Sequence, residues 1–270
     1  MMKKYFLKYL RASKQGYRVY QSMLRNESYL NWLYSESLRL PKFKNIHAGK
    51  DCFIIGNGPS IAKMDLTPLN NYYTFGLNKI HLLFEQQKLE LSYHVAVNPF
   101  VMEQIDEVLE QDIFKCPSFI SWNNTTKNSF KNDNIHQLFT DANWSFYPNI
   151  EKSICEGYTV TYVALQIAYY MGFKRVFFVG VDHSFKQEGK SNEVQTLKED
   201  DQNHFHPDYF KGMKWHLADV EGNEISYQIA KRYFETSKRE IIDCTVNGKL
   251  TVFPKLDFSE ALKIANCKSQ

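Results

Sequence analysis

The sequence predicts a Rossmann-like α/β fold: a mostly parallel, doubly wound sheet preceded by a basic amino-terminal helical arm. Three observations predict it. Short apolar runs alternate with helical stretches in βαβαβ order between positions 51 and 111. The first of these runs stops at Gly56-Asn57-Gly58-Pro59-Ser60, a turn of the kind that leads from a strand into a helix. An apolar helical segment at 159–171 then feeds a second buried run at 175–181. Strands in that order need long crossovers, and such crossovers are right-handed in nearly all cases, so the sheet winds.

Taken in order, the first segment carries Tyr5, Phe6, Tyr9 and Leu10, then Tyr17, Tyr20, Leu24, Leu30, Leu33 and Leu38, a spacing that suits amphipathic helices. It stops before Pro41, which sets a boundary between an arm at 1–45 and a main domain at 46–270. Residues 1–50 hold eleven Lys and Arg against Glu27 and Glu36, a net of +9, so the rest of this +3 chain carries −6. Such a basic arm suits contact with an anionic membrane surface or nucleic acid, or simply a solvated helix packed on the body or on another subunit. Cys52-Phe53-Ile54-Ile55 reads as a buried strand, with Ser60 as helix N-cap and a short helix at 61–69 limited by Pro68. Strands at 73–77 and 93–97 are each followed by a helical stretch, at 80–87 and 101–111, and weaker strands follow at 118–120 and 136–139. After the run at 175–181 comes a polar loop to about 219, a helix at 224–237, a strand at 240–243 and a further strand at 250–253.

Composition narrows the class. Hydrophobic content of 43% with 23% charged residues describes a globular chain, and 270 residues can bury one full core with an appendage. Five cysteines, odd in number and without a C-x-x-C pair, fit a reducing compartment. No apolar run approaches the ~18–20 residues that span a bilayer, and no signal-peptide pattern opens the chain. The expected address is the cytoplasm, with the arm at the inner face of the membrane.

In a wound parallel sheet the ligand crevice lies beyond the carboxyl ends of the strands. The residues there are Gly56-Asn57-Gly58, Asn78, Asn98 and Gly180-Val181-Asp182-His183-Ser184. Asparagine offers donor and acceptor without charge, which suits a ribose or pyrimidine, although it also caps and turns at strand ends. The glycine turn lacks the third glycine of G-x-G-x-x-G and the Gly-Lys-Ser/Thr of a P-loop, and Asn78 stands where an adenosine-binding acid would be. Both the dinucleotide oxidoreductase and the P-loop ATPase are thereby disfavoured. His204, in the polar loop, is the candidate general base, with His183 second. Glu199, Asp200 and Asp201 are hard oxygen ligands that could hold Mg²⁺ or form a solvated loop, and no cysteine stands at zinc spacing from His204.

Phe53 to Ser60, Val179 to Ser184, Asn203-His204-Phe205 and Gly248 to Pro254 resemble the 6-hydroxymethylpterin diphosphokinase-like family. Its Rossmann-like domain is related to bacterial lipooligosaccharide sialyltransferases and to motility accessory factors. The resemblance covers about 44–262 and implies a GT-A-like variant of the sheet. It implies nucleotide contacts at Gly56, Asn57, Gly58, Pro59, Ser60, Asn78, Asn98, Thr159, Thr161 and Ser184, with catalysis by His204, His183 and Asp182. Where the sialyltransferases carry a tyrosine after the strand-end Asp, this chain has His183-Ser184. The activity implied is a glycosyltransferase that moves a sugar, such as a nonulosonic acid, from a CMP-type donor to a surface glycan or lipid-linked precursor without a metal. The alternatives are an ATP- and Mg²⁺-dependent pyrophosphokinase and a non-catalytic nucleotide-binding scaffold. Nucleic acid is not an expected partner, and the aromatic arm is compatible with a homo-oligomer.

Overall fold

A computed structural model describes residues 14–125 and 130–268. The chain forms α1 (Lys14–Leu33), β1 (Asp51–Ile55), β2 (Tyr73–Leu77), β3 (Tyr93–Ala96), α2 (Pro99–Glu110), β4 (Ser118–Ser121), β5 (Ile135–Leu138), β6 (Thr140–Asp141) and β7 (Ile154–Cys155). There follow α3 (Val160–Tyr170), β8 (Arg175–Val179), β9 (Val194–Thr196), β10 (Lys214–His216), α4 (Val220–Thr236), β11 (Glu240–Asp243) and α5 (Phe258–Ile264). Seven strands make one sheet in the order β11-β8-β1-β2-β3-β4-β5, every pair parallel. The chain winds from β1 to one edge, then returns to add β8 and β11 on the other side of β1. Neighbouring crossovers therefore leave in opposite directions between β1 and β8, which opens a crevice at their carboxyl ends.

Strand residues alternate between two apolar layers, as a period of two requires. Cys52 and Ile54 face α3, α4 and the chain from Trp32 to Phe43. Phe53 and Ile55 face α2, α5 and the short helical turns after β1 and β2. The fold is thus the doubly wound α/β sheet that the sequence predicts.

Local differences have local causes. The stretch 61–69 is not one helix but two 3-10 turns, Pro59–Lys63 and Thr67–Asn71. Pro68 has no N–H to donate, so a helix cannot run through it. After β2 only Ile80–Leu83 is helical, again 3-10, with Ile80 and Leu83 both buried at the three-residue spacing that eclipses side chains in that geometry. The loop 182–219 contains an antiparallel hairpin, β9 against β10. No strand forms over 250–253: the segment is held by Lys249 N–H to the Asp182 carbonyl (2.8 Å) and makes only a single bridge, Lys255 to Asp243, beside β11.

The chain before β1 docks on the β5 edge of the sheet. Trp32, Leu40 and Phe43 are buried, and the Trp32 indole donates to the Gln137 carbonyl (2.8 Å) while Arg39 Nη2 donates to that of Asp133 (2.8 Å). An otherwise open edge strand is covered, which removes a template for pairing with other chains. Tyr5, Phe6, Tyr9 and Leu10 lie outside the described residues. Among the described residues no helix is long and apolar enough to cross a membrane.

Candidate active site

The site starts where β1 and β8 end. Gly56 N–H donates to the Val179 carbonyl (2.8 Å) and Gly58 N–H to that of Gly180 (2.9 Å), so the two strand-end turns lie backbone to backbone. A Cβ on Gly56 would stand 2.3 Å from the Gly180 oxygen, and one on Gly58 only 2.0 Å from Asp182 Oδ2. Both glycines are therefore required by close approach. Asp182 accepts from Ser60 N–H (3.1 Å) and from the Ser60 hydroxyl (2.7 Å). Burial raises its pKa, against the lowering effect of those bonds. The hydroxyl of Ser60, expected to cap a helix, instead ties the glycine turn to the end of β8.

One cleft of about 550 Å³ is lined by Gly56, Asn57, Gly58, Asn78, Asn98, Thr159, Thr161, Asp182, His183, Ser184 and His204 together. Pro59 and Ser60 support the turn and do not line it. The strand-end residues read from the sequence thus converge on one cavity, but their side chains divide into two groups. Asn57 and Asn78 each bury the side-chain Oδ1 without a donor, while Asn57 Nδ2 donates to the Leu77 carbonyl (3.0 Å). Asn98 and Thr159 are helix caps. Asn98 Oδ1 accepts from Phe100 N–H (3.0 Å) at the start of α2, and Thr159 Oγ1 from Thr161 N–H (3.3 Å) at the start of α3. Asn98 Nδ2 also meets His216 Nδ1 (3.2 Å), whose pKa is lowered by burial, so the neutral imidazole accepts.

The polar loop closes over this floor. Phe205 N–H donates to the Asn57 carbonyl (2.9 Å), and Lys79, buried beside Asn78, donates from Nζ to the Tyr209 carbonyl and to Gln104 Oε1 (3.1 Å). Burial lowers the Lys79 pKa to about 8, although Asp201 opposes the shift. Asn203 clasps the loop to itself through Lys186 N–H (2.6 Å) and the Lys186 carbonyl (3.0 Å).

His204 is oriented by this packing. Its Nδ1 lies 2.8 Å from Oδ2 of the buried Asp201, and its ring stacks on Tyr209 at 4.1 Å and 5°. The carboxylate can only accept, so Nδ1 carries a proton, and in the neutral imidazole the lone pair lies on Nε2. The arrangement is that of a general base with an orienting carboxylate. His183, by contrast, sits at φ +51° with its Nε2 3.1 Å from Glu224 Oε1.

The run Glu199-Asp200-Asp201 does not make an oxygen cage. Asp201 turns inward to His204, while Asp200 pairs with Lys211 at 2.7 Å. Among the described residues no group of three or more His, Cys, Asp or Glu side chains is placed to hold a metal ion.

Several cleft residues escape the strand-end reading of the sequence: Asn124, Asn143, Glu156, Tyr158, Asn223 and Tyr227. Asn124 follows the end of β4 and obeys the same rule as Asn57 and Asn78, so that rule extended one strand further finds it. Glu156 follows β7, whose two residues leave no readable pattern.

Residues 22–188 match the family described as 6-hydroxymethylpterin diphosphokinase MptE-like. Among solved structures the chain is similar to that of MAf glycosyltransferase from Magnetospirillum magneticum AMB-1, with 16% sequence identity and a TM-score of 0.53. The similarity covers 91% of this chain and 40% of that one, so the chain spans less than half the length of this neighbour, and the likeness concerns the fold. No curated protein matches. With the family match running over more than half of its length, across the glycine turn, the strand-end asparagines and the Gly-Val-Asp segment, the chain belongs to the MptE-like family of 6-hydroxymethylpterin diphosphokinase-like proteins.

Proposed function

We propose that the chain is a nucleotide-dependent transferase of the glycosyltransferase type, moving a sugar of the nonulosonic class from a CMP-type donor to a surface glycan or its lipid-linked precursor. The observation that carries this reading is His204, held by the buried Asp201, standing in the same cleft as the glycine turn and the strand-end asparagines. In the reaction, Nε2 of His204 takes the proton of an acceptor hydroxyl as its oxygen bonds to the anomeric carbon. The bond from that carbon to the phosphate oxygen breaks and CMP leaves with the electron pair. Asp201 holds the imidazole tautomer and stabilises the imidazolium that forms. Asn57 and Asn78 line the cleft beside the place for ribose or base, and the apposed turns of Gly56 and Gly180 bring backbone close to the phosphate.

The family description favours a second reading, pyrophosphoryl transfer from ATP with Mg²⁺. Calorimetry against CMP, CTP and ATP, with and without Mg²⁺, separates the two. Cytidine binding without metal is the expected result; strict dependence on ATP plus Mg²⁺ would replace the sugar-transfer reading with the second. The His204→Ala chain is expected to keep nucleotide affinity within a few-fold and to lose ~100-fold or more in turnover. Undiminished function in a complementation assay would make the chain a nucleotide-binding scaffold instead.

A further inference from the structure

Three carboxylates line the cleft, and two of them are accounted for by local structure. Asp182 is occupied by Ser60, and Asp219 caps α4 by accepting from Gly222 N–H (2.9 Å) and also accepts from Asn192 Nδ2 (2.8 Å). Glu156 is different. It sits just past β7, its Oε1 accepts from Asn124 Nδ2 (3.0 Å), and the nearby Thr140 hydroxyl favours its charged form. Among the described residues no cation lies within ion-pair distance of it. Burial pushes its carboxyl up from the usual range, as expected for an acid held only by neutral donors.

The surroundings of Glu156 are fixed. Asn124 Nδ2 also donates to the Val97 carbonyl (2.7 Å), so both of its amide protons are committed and the group cannot rotate away. The Thr140 hydroxyl is tied to that of Ser121 (2.9 Å). An acid with no cation among its described neighbours repels phosphate, so the surroundings of Glu156 are the wrong place for the anionic part of a nucleotide. They are a suitable place for a ligand group that presents N–H donors, since a carboxylate has more lone pairs than the Asn124 amide takes up.

Resting on the CMP-type donor reading above, we infer that Glu156 is the base-selecting residue: its carboxylate accepts the exocyclic amino N–H of a cytosine-type base and rejects the carbonyl that uracil presents at the same position. A carboxylate accepting from the cytosine amino group is an established pairing in base recognition, and facing it with a carbonyl oxygen sets acceptor against acceptor. The phosphate would then lie toward Gly56 and Gly58, at the other set of cleft residues.

The test measures affinity of the full chain for CMP, UMP and the pyrimidin-2-one ribonucleoside monophosphate, which lacks the amino group. The wild type is expected to bind CMP about tenfold or more tightly than either analogue. In Glu156→Gln, whose amide can accept from cytosine or donate to uracil, the CMP-to-UMP ratio is expected to fall toward one. An unmoved ratio in a variant with a wild-type melting curve overturns the inference and leaves the donor reading standing. Should Glu156→Gln fail to fold, the wild-type comparison decides, because equal affinity for CMP and the deamino analogue overturns the inference equally. Failure of the wild type to bind any of the three overturns the donor reading itself, and this inference with it.

Discussion

Gly58 is the residue on which the geometry of the cleft turns most sharply. Any side chain there collides with Asp182, and Asp182 in turn holds Ser60 through two bonds. Gly58→Ala is expected to cost ~1–3 kcal/mol of stability, the usual range for a methyl forced into a filled space, and to lower nucleotide affinity. Asp182→Ala removes the obstructing carboxylate, so the double variant is expected to lose less than the sum of the two single losses in urea melts. Additive losses would mean that the collision is relieved elsewhere. The glycines and asparagines of this turn are legible in the sequence because they end a strand. The division of labour among them is not, since Asn98 and Asn57 look alike in sequence while one caps a helix and the other buries an unpaired oxygen. The partner of His204 is likewise hidden: Asp201 reads as one member of an acidic run until the loop's packing turns it inward and leaves Asp200 outside.

At the scale of elements, the stretch between Ser28 and Phe43 does more than lead into the sheet. Trp32 packs against Phe139 at 5.8 Å and Tyr29 packs edge-on to the same ring at 5.0 Å, beside the β5 edge. Trp122 Nε1 donates to the Ser28 hydroxyl (2.9 Å), and the Ser37 hydroxyl donates to the Glu151 carbonyl (2.6 Å). Trp32→Ala is expected to destabilise the chain by ~3–5 kcal/mol, the range for a large aromatic removed from a core, with a lowered thermal midpoint. A midpoint within a degree of wild type would show that this segment is not part of the cooperative unit. Periodicity makes the helix of this segment legible. Its docking site is not, because an amphipathic face states that something covers it without stating what. The loop 182–219 shows the same limit: its polar composition marks a loop, yet it folds as a hairpin-bearing cover pinned at Asn57, at Lys79 and, through the Lys214 carbonyl, at Gln104 by contacts far apart in sequence.

Across the whole molecule, buried histidines set the acid response. Burial lowers His47 and His81 to about 4, and His94 and His136 to about 3. The unfolded chain protonates these side chains near 6.5, the folded chain only well below that, so the unfolded state binds more protons across the interval. Stability is therefore complete above about pH 6.5 and falls as the pH drops toward 4, by up to ~1.4 kcal/mol per histidine per pH unit at full slope. Asp182 and Glu156 act in the opposite sense, because burial raises both and the folded state takes up their protons first. With five histidines, His216 included, against two carboxyls, the urea midpoint is expected to fall between pH 6.5 and 5, and a flat or rising profile would contradict the burial of these histidines.

The sequence by itself determined the class of the fold, the βαβ succession that makes a wound sheet, and the edge at which Gly56, Asn57, Asn78 and Asp182 gather. Those features follow from local chemistry: period-two burial, helix periodicity, and the small or amide residues that end a strand. Tertiary structure alone decided which amides cap helices and which bury an unpaired oxygen, which aspartate holds His204, how the loop 182–219 covers the floor, and that Glu156 enters the cleft beside Asn124. Each of these depends on side chains brought together by crossovers tens of residues long, and hydrogen-bond pairing at that distance leaves no periodic mark along the chain.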